Sequence, residues 1–424
     1  TEAKSIAELL VTDTSRNLVR AFFLQNQLKA LSKGVKYAPQ HVHVIGAGTM
    51  GGDIAAWCAL RGMRVTLQDQ SAEKIAPAIK RAHVLYKDKL KLPHLIQAAM
   101  DRLEPDVDGA GIEKADLVIE AIFEDLTVKQ ELFKEMEPRL KPDAIMATNT
   151  SSIPLDEINV VLENPDRLVG IHFFNPAAKM PLVEVAHGKK TSPEITQKAL
   201  AFVGKIGKFP LAVTSSPGFL VNRVLMPYLL EAMVLLEEGV APRTVDKAAT
   251  DFGMPMGPIQ LADTIGLDVC LSVADNLMGY YGGTVPQRLQ QMVDSGYLGV
   301  KSGRGFYEYK NGKPVTKEQG RGSSDPNITE RLILRLLNEA VACFHENIVA
   351  DADLLDAGMI FGTGFAPFRG GPLHYVQQRG VAATVQELER FADQYGERFK
   401  PHAGWAQLER PAASVALASE GSTA

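Results

Sequence analysis

Residues 168–186, LVGIHFFNPAAKMPLVEVA, hold two apolar runs with one ionisable residue inside each, His172 and Glu184, and with Pro176 and Pro181 between them. If the runs are strands of an antiparallel hairpin, opposed residues have a constant sum of numbers. Setting His172 opposite Glu184 puts the centre of that hairpin at Ala178, inside the proline-bounded loop. Opposed side chains share one face with their Cβ atoms ~5 Å apart, close enough for an imidazole–carboxylate hydrogen bond. A carboxylate on one ring nitrogen selects the tautomer, leaves the other nitrogen as a base and stabilises the imidazolium that forms. That arrangement suits removal of a proton from an alcohol as hydride leaves its carbon. A core histidine satisfied by a structural glutamate would show the same spacing, so the surrounding motifs must decide.

Upstream, HVIGAGTMGGDIAAW carries Gly46, Gly48 and Gly51 in G-x-G-x-x-G spacing, with Met50 inside the loop. The pattern alone is weak. Here it follows a strand-like run and opens a helix, and Asp69 ends the next strand-like run, which is the full context of a dinucleotide-binding fingerprint. Gly46 permits the tight turn, Gly48 lets backbone amides reach a pyrophosphate, and Gly51 allows the helix to approach the strand. Asp69 would accept from the adenosine ribose hydroxyls and repel a 2′-phosphate, so NAD is favoured, with NADP left open by the nearby Arg61 and Arg64. In ATNTSS (147–152) a strand-like run ends, where ligands collect in open α/β sheets. Ser151 can reach a substrate hydroxyl and Asn149 the cofactor, whereas Ser152 reads as an N-cap. Asn222, an amide among apolar neighbours, can hold a substrate carbonyl or simply face solvent.

Elements must exist to position these groups. Short apolar runs at 42–46, 64–69, 115–122, 143–149, 168–174, 182–186 and 209–214 alternate with amphipathic stretches, predicting an α/β fold with a Rossmann-type doubly wound sheet over residues 41–214. Before it, residues 5–33 read as one helix with a stripe of Leu18, Ala21, Phe22, Gln25, Leu28 and Leu31, the core of a linking segment over residues 1–40. After it the strands stop and an all-α domain of two repeated helical units follows, at 215–316 and 329–405, joined by a polar linker at 317–328 and ending in a tail at 406–424. The first helix of that region is expected to start with Ser216 as N-cap and Pro217 as first residue, to kink at Pro227 and to stop before Gly239. The repeat sets Glu231 against Glu339, KAATDFG (247–253) against DAGMIFG (356–362), and Gly257-Pro258 against Gly371-Pro372. Each copy would bury the apolar face of the other.

Composition excludes several classes. Of 424 residues 46% are hydrophobic and 22% charged, with net charge −5, so nothing favours nucleic acid or an anionic membrane as partner. No apolar run reaches the length of a membrane span. Cys58, Cys270 and Cys343 are dispersed, which argues against disulfides and against a metal site and for three buried thiols in a reducing compartment.

Taken together, GAGTMGGDIA, EAIFEDLTVKQELF, ATNTSS, GIHFFNPAAKMPLVEV and SPGFLVNRVLMPYLLEA resemble the motifs of the L-3-hydroxyacyl-CoA dehydrogenase family, in the same order. The resemblance implies NAD as cofactor and an acyl-CoA as substrate, His172 as general base, Glu184 as its partner, and Ser151 and Asn222 as substrate-orienting residues. It also implies that Glu124 and Lys129 contact NAD, together with Gly46, Gly48, Met50, Gly51, Asp69 and Asn149. The N-terminal helix and the doubled helical unit resemble the dehydrogenase portion of multifunctional fatty-acid β-oxidation enzymes. That resemblance implies a hydratase module missing from this chain, a thiolase as further partner, a second helical unit standing in for a dimer partner in a monomeric fragment, and a bacterial cytoplasmic location, with mitochondrion or peroxisome as alternatives. Three rivals stand beside this reading: a hydroxyacid dehydrogenase with a lysine base, for which the helix carrying Asn222 and Arg223 offers no lysine before its kink; a nucleotide-sugar dehydrogenase with Cys270 as nucleophile; and a non-catalytic NAD- or CoA-binding scaffold.

Overall fold

The structure is a computed structural model and describes residues 2–315 and 326–408. Its centre is an eight-stranded sheet built from β1 (His41–Ile45), β2 (Arg64–Gln68), β3 (Leu103–Pro105), β4 (Leu117–Glu120), β5 (Ile145–Thr148), β6 (Leu168–Phe173), β7 (Leu182–His187) and β8 (Phe209–Thr214). The spatial order is β3-β2-β1-β4-β5-β6-β7-β8. β1 to β6 are mutually parallel, β7 is antiparallel to β6, and β8 runs parallel to β7. All residues of β1, β4, β5 and β6 are buried, which is why these strands read as continuous apolar runs rather than alternating ones. The chain order reverses between β1 and β4, the crevice where doubly wound sheets bind ligands.

Seven of the eight strands fall on the seven expected runs, β1 and β7 each extending one residue beyond its run, to His41 and His187. The edge strand β3 does not, because its three residues, Leu-Glu-Pro, offer no alternation and end in a proline tolerated only at an edge. The segment expected as one helix over 5–33 is two, Glu2–Leu10 and Asp13–Leu31, since the Thr12 hydroxyl accepts from the Ser15 amide and starts the second afresh. The buried face of that second helix carries Asn17, Ala21, Leu24 and Leu28, while Leu18 and Phe22 are exposed. Polar anchors set this rotation: Asn17 donates to the Phe368 carbonyl at 2.9 Å and Arg20 to the Gly370 carbonyl at 3.1 Å.

Helices at Val221–Glu237, Pro242–Phe252, Pro258–Ile265 and Leu267–Tyr281 are answered by helices at Pro326–His345, Ala352–Thr363, Pro372–Arg379 and Val381–Tyr395. The first and fifth of these pack directly on each other and share the larger core cluster with β6 to β8. Within the repeat, Asp246 corresponds to Asp356, one residue out of the register read by aligning 247–253 with 356–362. Each is the fifth residue of its helix, and a Cβ on Gly257 or Gly371 would collide with it. The first helix starts at Val221, not at Pro217. Gly218 and Phe219 both take positive φ, 75° and 50°, so the chain turns sharply there before the helix can begin. Of the expected linker, residues 317–325 lie outside the described residues and Pro326 already belongs to a helix; residues 409–424 of the expected tail also lie outside them, after a short helix at Trp405–Leu408. Among the described residues no helix is long and apolar enough to cross a membrane.

Candidate active site

β6 and β7 pair in the register that sets His172 opposite Glu184, the hairpin expected from the sequence. His172 Nδ1 lies 2.8 Å from Glu184 Oε2, with the histidine 3% exposed and the glutamate fully buried. Since the ionised carboxylate only accepts, Nδ1 carries the hydrogen and Nε2 keeps its lone pair. The other carboxylate oxygen, Oε1, accepts from the backbone amides of Leu220 at 3.1 Å and Val221 at 2.9 Å. Glu184 therefore also caps the Val221–Glu237 helix, whose first amides would otherwise lack partners, and the helix dipole favours the negative charge there. This cap explains why the helix begins where it does. The rings of Phe174 and Phe219 flank the imidazole at 4.6 and 5.6 Å between centroids, making one side of the site apolar.

The loop after β5 closes another side. Glu124 Oε1 accepts from the Thr150 hydroxyl at 2.6 Å and from the amides of Ser151 and Ser152 at 2.7 and 2.9 Å, so one carboxylate shapes the turn that presents Ser151. Burial by itself would raise the Glu124 pKa, but Lys129 and these three donors outweigh it and hold the carboxyl below its ordinary range. Asn222 Nδ2 reaches the Ser151 carbonyl at 3.3 Å, bringing together two residues 71 positions apart. Asn149 accepts from the Phe173 amide at 2.9 Å and ties the end of β5 to the strand bearing His172. Ser152, fully enclosed, donates to Glu124 and accepts from Asn276 at 2.9 Å, a structural link between loop and helices.

Lys129 is also enclosed. Its Nζ lies 2.6 Å from Glu120 Oε1 and 3.4 Å from Glu124 Oε2, and the Thr148 hydroxyl donates to the other Glu120 oxygen at 2.6 Å. Glu120 escaped the reading of the sequence, although an acid with apolar residues on both sides, as in LVIEAI (117–122), is the same signal that picked out Glu184. Arg223 escaped it as well, being noted only as a residue that is not a lysine. Cys270 is buried, which pushes its thiol up to about 12, so the cysteine-nucleophile rival has no support in its surroundings.

At the opposite side of the crevice, Gly46 adopts φ 102° and a Cβ there would strike the Ala121 carbonyl, while a Cβ on Gly51 would strike the Gly46 carbonyl. Gly48 differs: a Cβ there would meet nothing within 4 Å, so open space faces the start of the Thr49–Leu60 helix, which has no side-chain cap. Free amides, a helix N-terminus and room in front of them fit a dinucleotide pyrophosphate. Met50 follows in the first turn of that helix, half-buried. Asp69 Oδ2 accepts from the Ala47 amide at 2.7 Å, joining the loop to the position expected for the ribose. Arg64 begins β2, whereas Asp69 follows its end, and the Arg64 guanidinium is engaged by Glu104 at 2.9 Å, so it gives no support to a 2′-phosphate site. Arg81, unmarked by any motif, donates to the Gly48 carbonyl at 2.8 Å and braces the loop.

Comparison with known proteins agrees with this geometry. The NAD binding domain of 3-hydroxyacyl-CoA dehydrogenase matches residues 41–216, and the C-terminal domain of the same enzyme matches residues 218–309. The fatty acid oxidation complex subunit alpha of Shewanella baltica (strain OS185) is 36% identical over 422 residues, an alignment covering 94% of this chain and 60% of that protein. The chain thus spans about 60% of the length of the curated relatives it matches. Crystal structures of 3-hydroxybutyryl-CoA dehydrogenase from Escherichia coli K12 (29% identity, TM-score 0.77, 87% of this chain and 98% of that one) and of (S)-3-hydroxybutyryl-CoA dehydrogenase from Ralstonia eutropha (34% identity, TM-score 0.60, 65% of this chain and 100% of that one) share its fold.

Proposed function

The chain belongs to the 3-hydroxyacyl-CoA dehydrogenase family of NAD-dependent oxidoreductases, and from that membership we propose that His172 removes the hydroxyl proton of an L-3-hydroxyacyl-CoA as the 3-keto product forms. When bound, the nicotinamide of NAD supplies the hydride acceptor. The observation that carries the proposal is the 2.8 Å contact of His172 Nδ1 with Glu184, which leaves Nε2 free as the base and gives the imidazolium a buried counter-charge. Ser151 and Asn222, joined through the Ser151 carbonyl, orient the substrate hydroxyl and thioester side, and the acyl chain enters between the sheet and the helices. Gly46, Gly48, Met50, Gly51 and Asp69 receive the adenine half of the cofactor. Glu124, Lys129 and Asn149 shape the nicotinamide side, and in this reading the first two act chiefly through the Ser151 loop.

The reaction serves fatty-acid oxidation, and the relatives' greater length supports a further module in the whole protein, which we read as a hydratase; a thiolase partner and a bacterial cytoplasm are proposed on the family resemblance alone. The test is NADH formation from 3-hydroxybutyryl-CoA and 3-hydroxydecanoyl-CoA, with NAD and NADP compared. NAD-linked turnover that His172→Gln nearly abolishes, with NAD binding kept, is the expected result. An active His172→Gln enzyme would overturn the mechanism.

A further inference from the structure

Arg223 follows Asn222 in the first turn of the Val221–Glu237 helix and is 3% exposed. Its Nε donates to Glu339 at 2.7 Å, and its two terminal nitrogens donate to Glu346 at 2.7 and 2.9 Å; both acids belong to the second helical unit. Its guanidinium lies 4.1 Å from the centre of the Tyr281 ring, and the Tyr281 hydroxyl donates to the Pro217 carbonyl at 3.2 Å, at the turn leading into the same helix. The first turn of this helix is thus held at three places: by Glu184 through the Leu220 and Val221 amides, by the Ser151 carbonyl through Asn222, and by the second unit through Arg223.

The repeat supplies its own control. Arg331, Glu339 and Glu346 each lie 108 residues after Arg223, Glu231 and Glu238. Arg331 Nε donates to Glu231 at 2.7 Å, its terminal nitrogens hold both oxygens of Glu238, and its guanidinium lies 4.2 Å from the Tyr395 ring. The two clamps share one plan and the same residue types, with one addition on the Arg331 side, where Arg398 Nε also donates to Glu231 at 2.7 Å. Only one of them adjoins chemistry: before Arg331 stands Glu330, which pairs with Arg379 at 2.7 Å, where Asn222 stands before Arg223. Packing alone would not make the Arg223 clamp the more important of the two.

We infer that Arg223 is a positioning residue and that the second helical unit, through Glu339 and Glu346, holds Asn222 and the Glu184–His172 pair in register for the reaction. The inference rests on the reading of that pair as the reacting groups. Lysine carries the charge but not the planar fork, so it cannot keep the Glu339 bond together with the paired bonds to both oxygens of Glu346. The first turn is then free to shift, and misplacing reacting groups by ~1 Å costs about 10²-fold in rate.

The experiment uses the full chain and matched variants, Arg223→Lys against Arg331→Lys and Glu346→Gln against Glu238→Gln. Thermal midpoint, kcat, KM for both substrates and the pH profile of kcat/KM are measured for each. Both arginine variants should lose thermal stability, Arg331→Lys no more than Arg223→Lys, since Arg398 still holds Glu231. Arg223→Lys should lower kcat by about 10²-fold and move the acid limb of the profile, leaving KM for NAD unchanged, while Arg331→Lys keeps kcat within about twofold of the parent. If the arginine variants fold poorly the glutamine pair decides, since Glu346 and Glu238 are 40% and 43% exposed and their loss is mild. Equal kcat within either pair would overturn the inference. Active His172→Gln would instead remove its premise, so the two failures are distinguishable.

Discussion

Asp246 and Asp356 cap the following helix of their own repeat in the same way but take different third partners. Asp246 accepts from the Ile259 and Gln260 amides and from the Tyr307 hydroxyl at 2.7 Å; Asp356 accepts from the Leu373 and His374 amides and from Arg20 at 2.8 Å. The N-terminal helix therefore occupies, in the second unit, the place that Tyr307 holds in the first. Arg20→Ala leaves Asp356 buried with its charge unpaired and should cost about 2 kcal/mol, read as a lower urea midpoint. Tyr307→Phe, which removes a neutral donor, should cost about half of that.

Glu184 is asked to do two things, and substitution can separate them. In Glu184→Gln an amide oxygen can still cap the Val221–Glu237 helix, but the side chain no longer offers a counter-charge to the imidazolium or holds Nε2 free as the base. kcat should fall by about 10³- to 10⁴-fold with little change in thermal midpoint and with NAD binding kept. Initial rates and a fluorescence titration with NADH check this; a kcat near that of the parent would mean that capping, which the amide keeps, is the main role.

The parts of this site that could be read in advance are those with a local rule behind them. His172 facing Glu184 follows from the period of a strand and the length of one loop, and the glycine loop with Asp69 follows from one strand–helix–strand unit. The start of the Val221–Glu237 helix was misplaced because its cap comes from Glu184, 36 residues upstream, and no local pattern can show that. The rotation of the N-terminal helix was misread for the same reason: Asn17 and Arg20 find partners more than 300 residues away. Arg223 was overlooked because its meaning lies in Glu339 and Glu346; the repeat sets the first against Glu231, and only the packing of the two units brings either to an arginine.

Lys129 offers a test of whether a residue linked to the cofactor by family resemblance acts at a distance. Its ammonium sits between Glu120 and Glu124, 1% exposed, with Glu120 fully buried. Lys129→Met should leave these carboxylates facing each other without a cation, at a cost of about 3–5 kcal/mol in urea unfolding. Adding Glu120→Gln should recover a large part of that loss, because the uncompensated charge is then gone. If the double variant regains stability and NAD affinity together, Lys129 acts by holding the Ser151 loop; if stability returns without affinity, it touches the cofactor.

His41 Nε2 and His43 Nδ1 both meet the Thr66 hydroxyl, at 2.9 and 2.7 Å, and His43 Nε2 meets Gln68 Oε1 at 2.9 Å. The Gln68 oxygen only accepts, so His43 carries its hydrogen on Nε2, accepts from Thr66 on Nδ1, and Thr66 in turn accepts from His41. A second proton on His43 would point at the Thr66 hydrogen. Burial is the main reason its pKa falls from 6.5 to about 4, with Gln68 and Asp106 pulling weakly the other way. The unfolded chain thus binds this proton first, so the contribution of His43 to stability is complete above pH 6.5 and declines as pH falls toward 4. At pH 5 the loss from this one group should be about 2 kcal/mol relative to pH 7. Unfolding free energies from urea titrations at the two pH values should differ by that much more in the parent than in His43→Gln, whose side chain keeps a donor and an acceptor but does not titrate; an equal difference in both would place the proton uptake elsewhere.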